Sequence, residues 1–275
     1  MNLRRLGSAG LIQLILIANS VLVLYPIFMM VLSGFKSTRE LFSNPFGLPQ
    51  SFALDNFIRV WQGTNFPLYL RNSVLVTSGS ILLILVLGVM AAYALGRYEF
   101  RGNELLYLFF LSGLMIPLRL AVIPLFVQLK AMGLTNTLLG LMCIYGAQGL
   151  PSAVFILTGF MRSLPRDLDN AARIDGANEL QILTRIVLPL TRPALVIVAI
   201  YNLVPVWNDF FFPLVFVQSD RLKTLPLGLT VFMGQYSTDW AVLFAGLTLA
   251  ALPVIALYAV MSRQFIAGLT AGALK

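Results

Sequence analysis

LPRDLDNAARIDGANELQILTRIVLPLTRP, running from Leu164 to Pro193, is a charged island in an apolar chain. With Arg162 just upstream it holds five arginines (Arg162, Arg166, Arg173, Arg185 and Arg192) and four acids (Asp167, Asp169, Asp175 and Glu179), in a protein of which only 11% is charged and 59% hydrophobic. No hydrocarbon core accepts such a density of ions. Locally, Asp167-Leu168-Asp169-Asn170 offers a helix N-terminus, with carboxylates where unsatisfied backbone donors and the positive dipole end favour them. Gly176 interrupts that helix. Asn178 and Glu179 begin another, which runs through Ile186-Val187-Leu188 until Pro189 and Pro193 are expected to stop it. The stretch predicts two short helices joined at a glycine hinge outside a bilayer.

The segments flanking this island are what a bilayer would hold. At 275 residues and mean hydropathy +0.87, the chain contains several windows of the roughly 20 apolar residues a spanning helix needs. The fold class is therefore all-α and polytopic, with six spans predicted at 11–35, 72–95, 105–129, 138–160, 194–217 and 241–260. Residues 11–35 are too long for the core of a signal peptide, about 7–15 residues, and read as a retained first span. Residues 36–71 form the longest segment outside the membrane. Within it, Asp55 caps a short surface helix whose aromatics, among them Phe57 and Trp61, sit at interfacial depth. Pro117 and Pro124 are both expected to kink or interrupt the third span, leaving backbone groups that only neighbouring helices or a water-lined cavity satisfy. Gly140, Gly146 and Gly149 allow close helix approach in the fourth.

Charge sets the orientation. The net +8 is strewn through loops without a contiguous basic run, which points away from nucleic acid. Six spans place both termini on one side, which receives eleven Lys and Arg (Arg4, Arg5, Arg97, Arg101, the five around the central loop, Arg263 and Lys275) against seven opposite, with Arg119 inside a span. Termini and central loop are accordingly expected in the cytoplasm. The lone Cys143 reads as packing, which leaves no disulfide framework or thiolate metal site.

Ala171-Ala172, three residues, Gly176, nine residues, Ile186, one residue and Leu188-Pro189 together resemble the EAA loop of ABC importer permeases. The words Asp175-Gly176-Ala177 and Ile186-Val187-Leu188-Pro189-Leu190 are similar to the carbohydrate-uptake, maltose permease-like branch of these binding-protein-dependent inner membrane components. The resemblance implies a type I importer permease fold and a loop, 162–193, that docks on an ATPase. It assigns coupling to Asp169, Asn170, Ala171, Ala172, Asp175, Gly176, Leu188 and Pro189. Asn170 stands where the family has its first glutamate, so an ion pair to the ATPase is not implied there. The resemblance divides the chain into a cytoplasmic N-terminus (1–10), a first span (11–35), an extracytoplasmic segment on which a solute-binding protein lands (36–71), a five-helix core (72–266) and a cytoplasmic tail (267–275). That tail, with Gly268, Gly272 and Lys275, is expected to be an extended peptide reaching the ATPase dimer. The partners implied are a second homologous permease, two ATP-binding subunits that carry ATP and magnesium, the binding protein, a carbohydrate and the lipid bilayer of a bacterial inner membrane.

Within the spans, Trp207-Asn208-Asp209-Phe210 is the main polar cluster. An intramembrane carboxylate costs on the order of 2.5–3.5 kcal/mol on insertion scales and persists where it meets water, a partner or substrate. Trp207, Asn208 and Asp209 suit a sugar, by ring stacking and hydroxyl hydrogen bonds; the alternative is that Asp209 merely caps a helix end. Arg119 either meets Asp209 or an anionic substrate group, or snorkels to the outer interface. Gln148, Asn202 and Tyr201 also lie in spans and are candidates to line the path, although such groups more often bridge helices than bind ligand.

The chain has no G-x-x-x-x-G-K-[ST] phosphate cradle and no histidine. It is expected to bind no cofactor, to hydrolyse no ATP and to act as a transporter subunit rather than an enzyme. A secondary sugar transporter is the competing class, with Asp209 as its single candidate carboxylate. A membrane transferase would need converging acids or histidines, which the sequence lacks.

Overall fold

The structure, a computed structural model, describes residues 3–234 and 238–273, with side chains for 10–234 and 238–259. In chain order its helices are α1 (Leu3–Ser33), α2 (Thr38–Ser43), α3 (Asp55–Gly63), α4 (Phe66–Arg97), α5 (Asn103–Ser112), α6 (Val122–Ala131) and α7 (Leu138–Arg162). They continue with α8 (Asp167–Ile174), α9 (Glu179–Ile182), α10 (Leu188–Asn208), α11 (Phe211–Phe216), α12 (Leu225–Gly228) and α13 (Trp240–Ala273). Among the described residues five helical segments are long and apolar enough to cross a membrane, or six if the bent pair Asn103–Met115 and Leu118–Ala131 counts as one. The chain divides into two compact units, Met1–Pro67 with Gly228–Pro253, and Leu68–Leu227 with Val254–Lys275.

In the first unit, none of the apolar window of α1 is buried. The segment after it is tied down by polar side chains. Lys36, fully buried, donates to the carbonyls of Asn44 and Pro45, and Asn56 donates to those of Gly34 and Lys36. Asp239 takes an ion pair from Arg59 at 2.7 Å and accepts from the Val242 N–H in the first turn of α13. The surface helix expected around Asp55 is present, but Asp55 is its first residue rather than its cap.

The second unit packs α4, α7 and α10 around a core of Ile84, Ala92, Ala153, Leu157, Ala194 and Val198. Gly149 makes the approach possible, since a Cβ there would run into Ile84 of α4 and Asn202 of α10.

Three features differ from the sequence reading. First, the third span bends by 85°, and Pro117 alone accounts for it. Ile116 is extended (φ −90°, ψ 112°), as a residue before proline must be. Pro124 is the third residue of α6, where its missing N–H has no intrahelical partner to lose. Second, Pro189 and Pro193 do not end a helix. A π turn over Leu183–Val187, with the Leu188 N–H bonded five residues back to Leu183, leads α9 directly into α10. That wider turn accommodates the proline ring, so the second short helix is the first turn of a long one. Third, the fifth span lies earlier than 194–217. It stops at Asn208, and extended Asp209 (φ −73°, ψ 128°) separates it from α11.

At the C-terminus the backbone stays helical through Ala273, so Gly268 and Gly272 lie in α13 rather than in an extended peptide. The side chains of that tail, and Lys275 altogether, fall outside the described residues.

Gly149→Val should lower the thermal midpoint in detergent by the equivalent of about 1–3 kcal/mol of overpacking. Gly159→Ala, where an added Cβ meets nothing within 4 Å, should leave the midpoint unchanged or raise it.

Candidate functional site

The charged loop folds by its own local rules. Helix α8 ends in a Schellman motif, in which the Gly176 N–H bonds Arg173 and the Ala177 N–H bonds Ala172. Gly176 takes φ +81°, a conformation costly for any side chain, so it is a helix stop with fixed geometry rather than a free hinge. Asn178 and Gln181 then form a reciprocal capping box for α9. Arg173 closes the turn with an ion pair to Glu179 at 3.0 Å.

This fold sorts the residues assigned to coupling. Asp169 and Ala172 are buried and face the core, whereas Asn170, Ala171, Asp175, Gly176 and Pro189 are exposed and Leu188 is half-buried. Two apolar side chains that the sequence reading passed over stand out on either side of Gly176. Ile174 is 87% exposed and Leu180 69%. The signal for them was present, since an isoleucine beside Asp175-Gly176 on an exposed turn has no core to enter.

Three residues at or just beyond the end of α4, to which the sequence assigns no role in the loop, also hold it. Arg97 forms a buried ion pair with Asp169 at 2.7 Å. Tyr93 and Tyr98 both donate to the same oxygen of Glu179. Burial, and after it the bond to Glu179, raises the Tyr98 hydroxyl above its usual range, and the Glu179 hydrogen bond does the same for the Arg173 guanidinium. Tyr98 therefore remains a donor and Arg173 a cation at any physiological pH.

The third-span break, α7 and α10 enclose a cavity of about 640 Å³. Its polar lining is Arg119, Tyr145, Gln148, Ser152, Tyr201, Asn202 and Asp209. Asp209 is buried and fully engaged. It accepts from the Tyr145 hydroxyl at 2.8 Å, from the Phe212 N–H at 3.0 Å and from Arg119 at 3.4 Å. Asp209 thus lines the cavity and also accepts from a backbone N–H in the first turn of α11. Arg119 meets Asp209 rather than standing alone, with its guanidinium over the Phe211 ring at 5.6 Å and its side chain 68% exposed.

The other two members of the cluster are not among the cavity's lining. Trp207 is buried elsewhere, and Asn208 is exposed with its amide turned back onto the Val204 carbonyl of its own helix. Gln148, Tyr201 and Asn202, read from sequence as path-lining or bridging groups, are in the lining, and Asn202 also donates to Ser152 of α7. Tyr145 and Ser152 had no sequence signal beyond their place in an apolar span. Among the described residues no group of His, Cys, Asp and Glu is placed to hold a metal.

Asp209→Ala should cut activity in an uptake assay at least tenfold, because it frees a buried tyrosine and uncaps α11. Asn208→Ala should stay within twofold of the parent.

Known proteins place this architecture. Residues 84–271 match the family described as "Binding-protein-dependent transport system inner membrane component". The diacetylchitobiose uptake system permease protein NgcG of Streptomyces coelicolor is 37% identical over 97% of this chain and 89% of its own length. The trehalose/maltose transport system permease protein MalG of Thermococcus litoralis is 33% identical, covering 94% of each. A crystal structure of a bacterial ABC transporter involved in the import of alginate superposes with a TM-score of 0.84 at 22% identity, covering 96% of this chain and 99% of that one, which establishes the shared fold. With its bent third span, its helix-capped central loop and these relatives, the chain belongs to the binding-protein-dependent inner membrane components, as an ABC transporter permease of the carbohydrate-uptake branch.

Proposed function

We propose that this chain is one of two permeases of an ATP-driven importer for a carbohydrate. In this reading a second homologous permease completes the pathway, two ATP-binding subunits carry ATP and magnesium, and a solute-binding protein delivers substrate from the opposite face. The chain itself binds no cofactor. Loop 162–193 and both termini lie on the cytoplasmic side, and the C-terminal end of α13 faces the ATPases.

The observation that carries this reading is the pair Ile174 and Leu180, exposed on a rigidly capped turn among charged residues. An apolar pair held by a Schellman motif and a capping box is suited to filling a groove on a partner. The relatives named for diacetylchitobiose and for trehalose/maltose uptake support a saccharide as substrate. The cavity's chemistry fits one. Gln148, Ser152, Tyr201 and Asn202 supply donors and acceptors for hydroxyls, and the one cation and one anion in its lining cancel. Tyr201, 60% exposed, offers the aromatic face for stacking that Trp207, buried and outside the cavity, does not. Closure of the ATPases would then move α8 and α9 as a unit and switch the cavity between faces. A cation-coupled transporter would need Asp209 for its ion, and that carboxylate is already taken by Tyr145, Phe212 and Arg119.

In complexes purified in mild detergent, Ile174→Asp combined with Leu180→Asp should abolish co-purification of the ATPase while the second permease is retained. An intact complex with normal uptake would remove the coupling assignment. Tyr201→Ala should raise the KM for uptake about tenfold, the equivalent of ~1.4 kcal/mol, with the complex fully assembled.

A further inference from the structure

Arg97 is the last residue of α4, and its side chain is 2% exposed. Nε donates to Asp169 Oδ2 at 2.8 Å, and Nη2 reaches the same oxygen at 2.7 Å. Nη1 donates to the carbonyls of Met161 and Leu164 at 3.0 and 2.9 Å, and Nη2 to that of Pro165 at 3.2 Å. The guanidinium makes four hydrogen bonds and an ion pair, and the groups they hold belong to different segments. Met161 is in the last turn of α7, Leu164 and Pro165 form the link that follows, and Asp169 lies in α8. The residue four beyond Met161 is Pro165, which has no N–H to give, so the Met161 carbonyl takes a turn bond from the Leu164 N–H at 3.3 Å and has room for a second donor, and the negative end of that helix favours a cation.

As a stabilising device this is a poor choice. A buried ion pair seldom outweighs the desolvation of its two charges, and here Asp169 Oδ1 is buried and accepts no hydrogen bond among the described residues. What the arrangement provides is geometry. A planar fork tied by four hydrogen bonds and an ion pair cannot rotate or slide without losing several contacts together. A second attachment of the same origin lies across Gly176, where Tyr93 and Tyr98, the latter just beyond α4, hold Glu179.

We propose that Arg97 is a positioning residue for energy coupling: it fuses α8 to the ends of α4 and α7, so that a displacement of α8 is delivered to those helices instead of being absorbed by the link at 163–166. This rests on the reading of loop 162–193 as the contact with the ATPase. Gly176, in this arrangement, is not where the loop flexes, because Arg173 and Glu179 bridge it. The moving body includes the cytoplasmic end of α4, and α4 packs along the core to Ile84, which touches the position of Gly149 beside the cavity.

The test is the Arg97→Lys variant, reconstituted with its partner permease, ATPase and binding protein, with uptake and ATP hydrolysis measured in the same vesicles. Lysine keeps the charge but presents its donors from one point, and cannot serve a carboxylate and three carbonyls at once. The expected result is an assembled complex in which solute imported per ATP hydrolysed falls at least tenfold. An unchanged ratio would overturn the proposal, because a merely structural cation would be replaced by lysine without changing that ratio.

Should Arg97→Lys fail to assemble, the native arginine decides the question. In a Cys143→Ser background, spin labels at Met90→Cys on α4 and Asp167→Cys on α8, both exposed positions, report the separation of the two helices. The proposal requires the same distance in nucleotide-free and ATP-trapped complexes, and a shift between the two states would contradict it. The two readings fail separately. If the Ile174 and Leu180 change leaves the ATPase bound, the loop is not the contact. If that change releases the ATPase while Arg97→Lys keeps its import ratio, only the role of Arg97 falls.

Discussion

A backbone that crosses hydrocarbon must satisfy its donors and acceptors internally, and among the described residues three breaks in regular α-helix within or beside the spans bear on that demand. The first is the 85° bend at Ile116–Pro117, the second the π turn at Leu183–Val187, and the third the break at Asp209. Each departure is compensated by polar groups or by altered helix geometry. The bend and the break both open on the cavity, and Asp209 meets the freed N–H of Phe212 while it accepts from Tyr145. The π turn carries the charged loop into α10 in spite of Pro189. Where regular helix fails, the structure places the groups that could touch a solute or a partner.

The same economy governs the loop. Its exposed surface holds Ile174 and Leu180, its inward face holds Asp169 and Ala172, and Arg97 with the two tyrosines fixes it from α4. A displacement at that surface meets no soft element before it reaches α4 and α7, because Gly176 is locked in its Schellman turn and the link to α7 is held by its own carbonyls. Short polar contacts within the second unit therefore join the loop and the cavity through packed helices, without a separate flexible relay.

Much of this was legible in the sequence, for reasons that can be stated residue by residue. Apolar length gave the spans, and the two acids before Ala171 gave the start of α8, since both signals are local. Pro117 announced a break because proline removes a donor wherever it stands, but Pro124, Pro189 and Pro193 did not act alike. Their effect depends on whether the lost N–H had a partner, and that depends on where the helix begins. The pairing of Arg97 with Asp169 is separated by 72 residues and cannot be read from spacing. The cavity lining was misjudged for a related reason. Asn208 and Trp207 are adjacent to Asp209 in sequence, but neighbouring helical positions face different directions and Asp209 already lies beyond the helix end, so a polar word does not form a polar site. Tyr145 and Ser152 entered the site from α7, where an isolated polar residue has no neighbour in sequence to mark it.

The most direct measurement of the account is solute uptake by vesicles that contain this chain with a second permease and an ATPase pair, supplied with binding protein outside and ATP inside. The account predicts uptake that needs ATP and stops when any one of the partners is left out. Uptake by this chain alone, driven by an ion gradient and lost in Asp209→Asn, would contradict it.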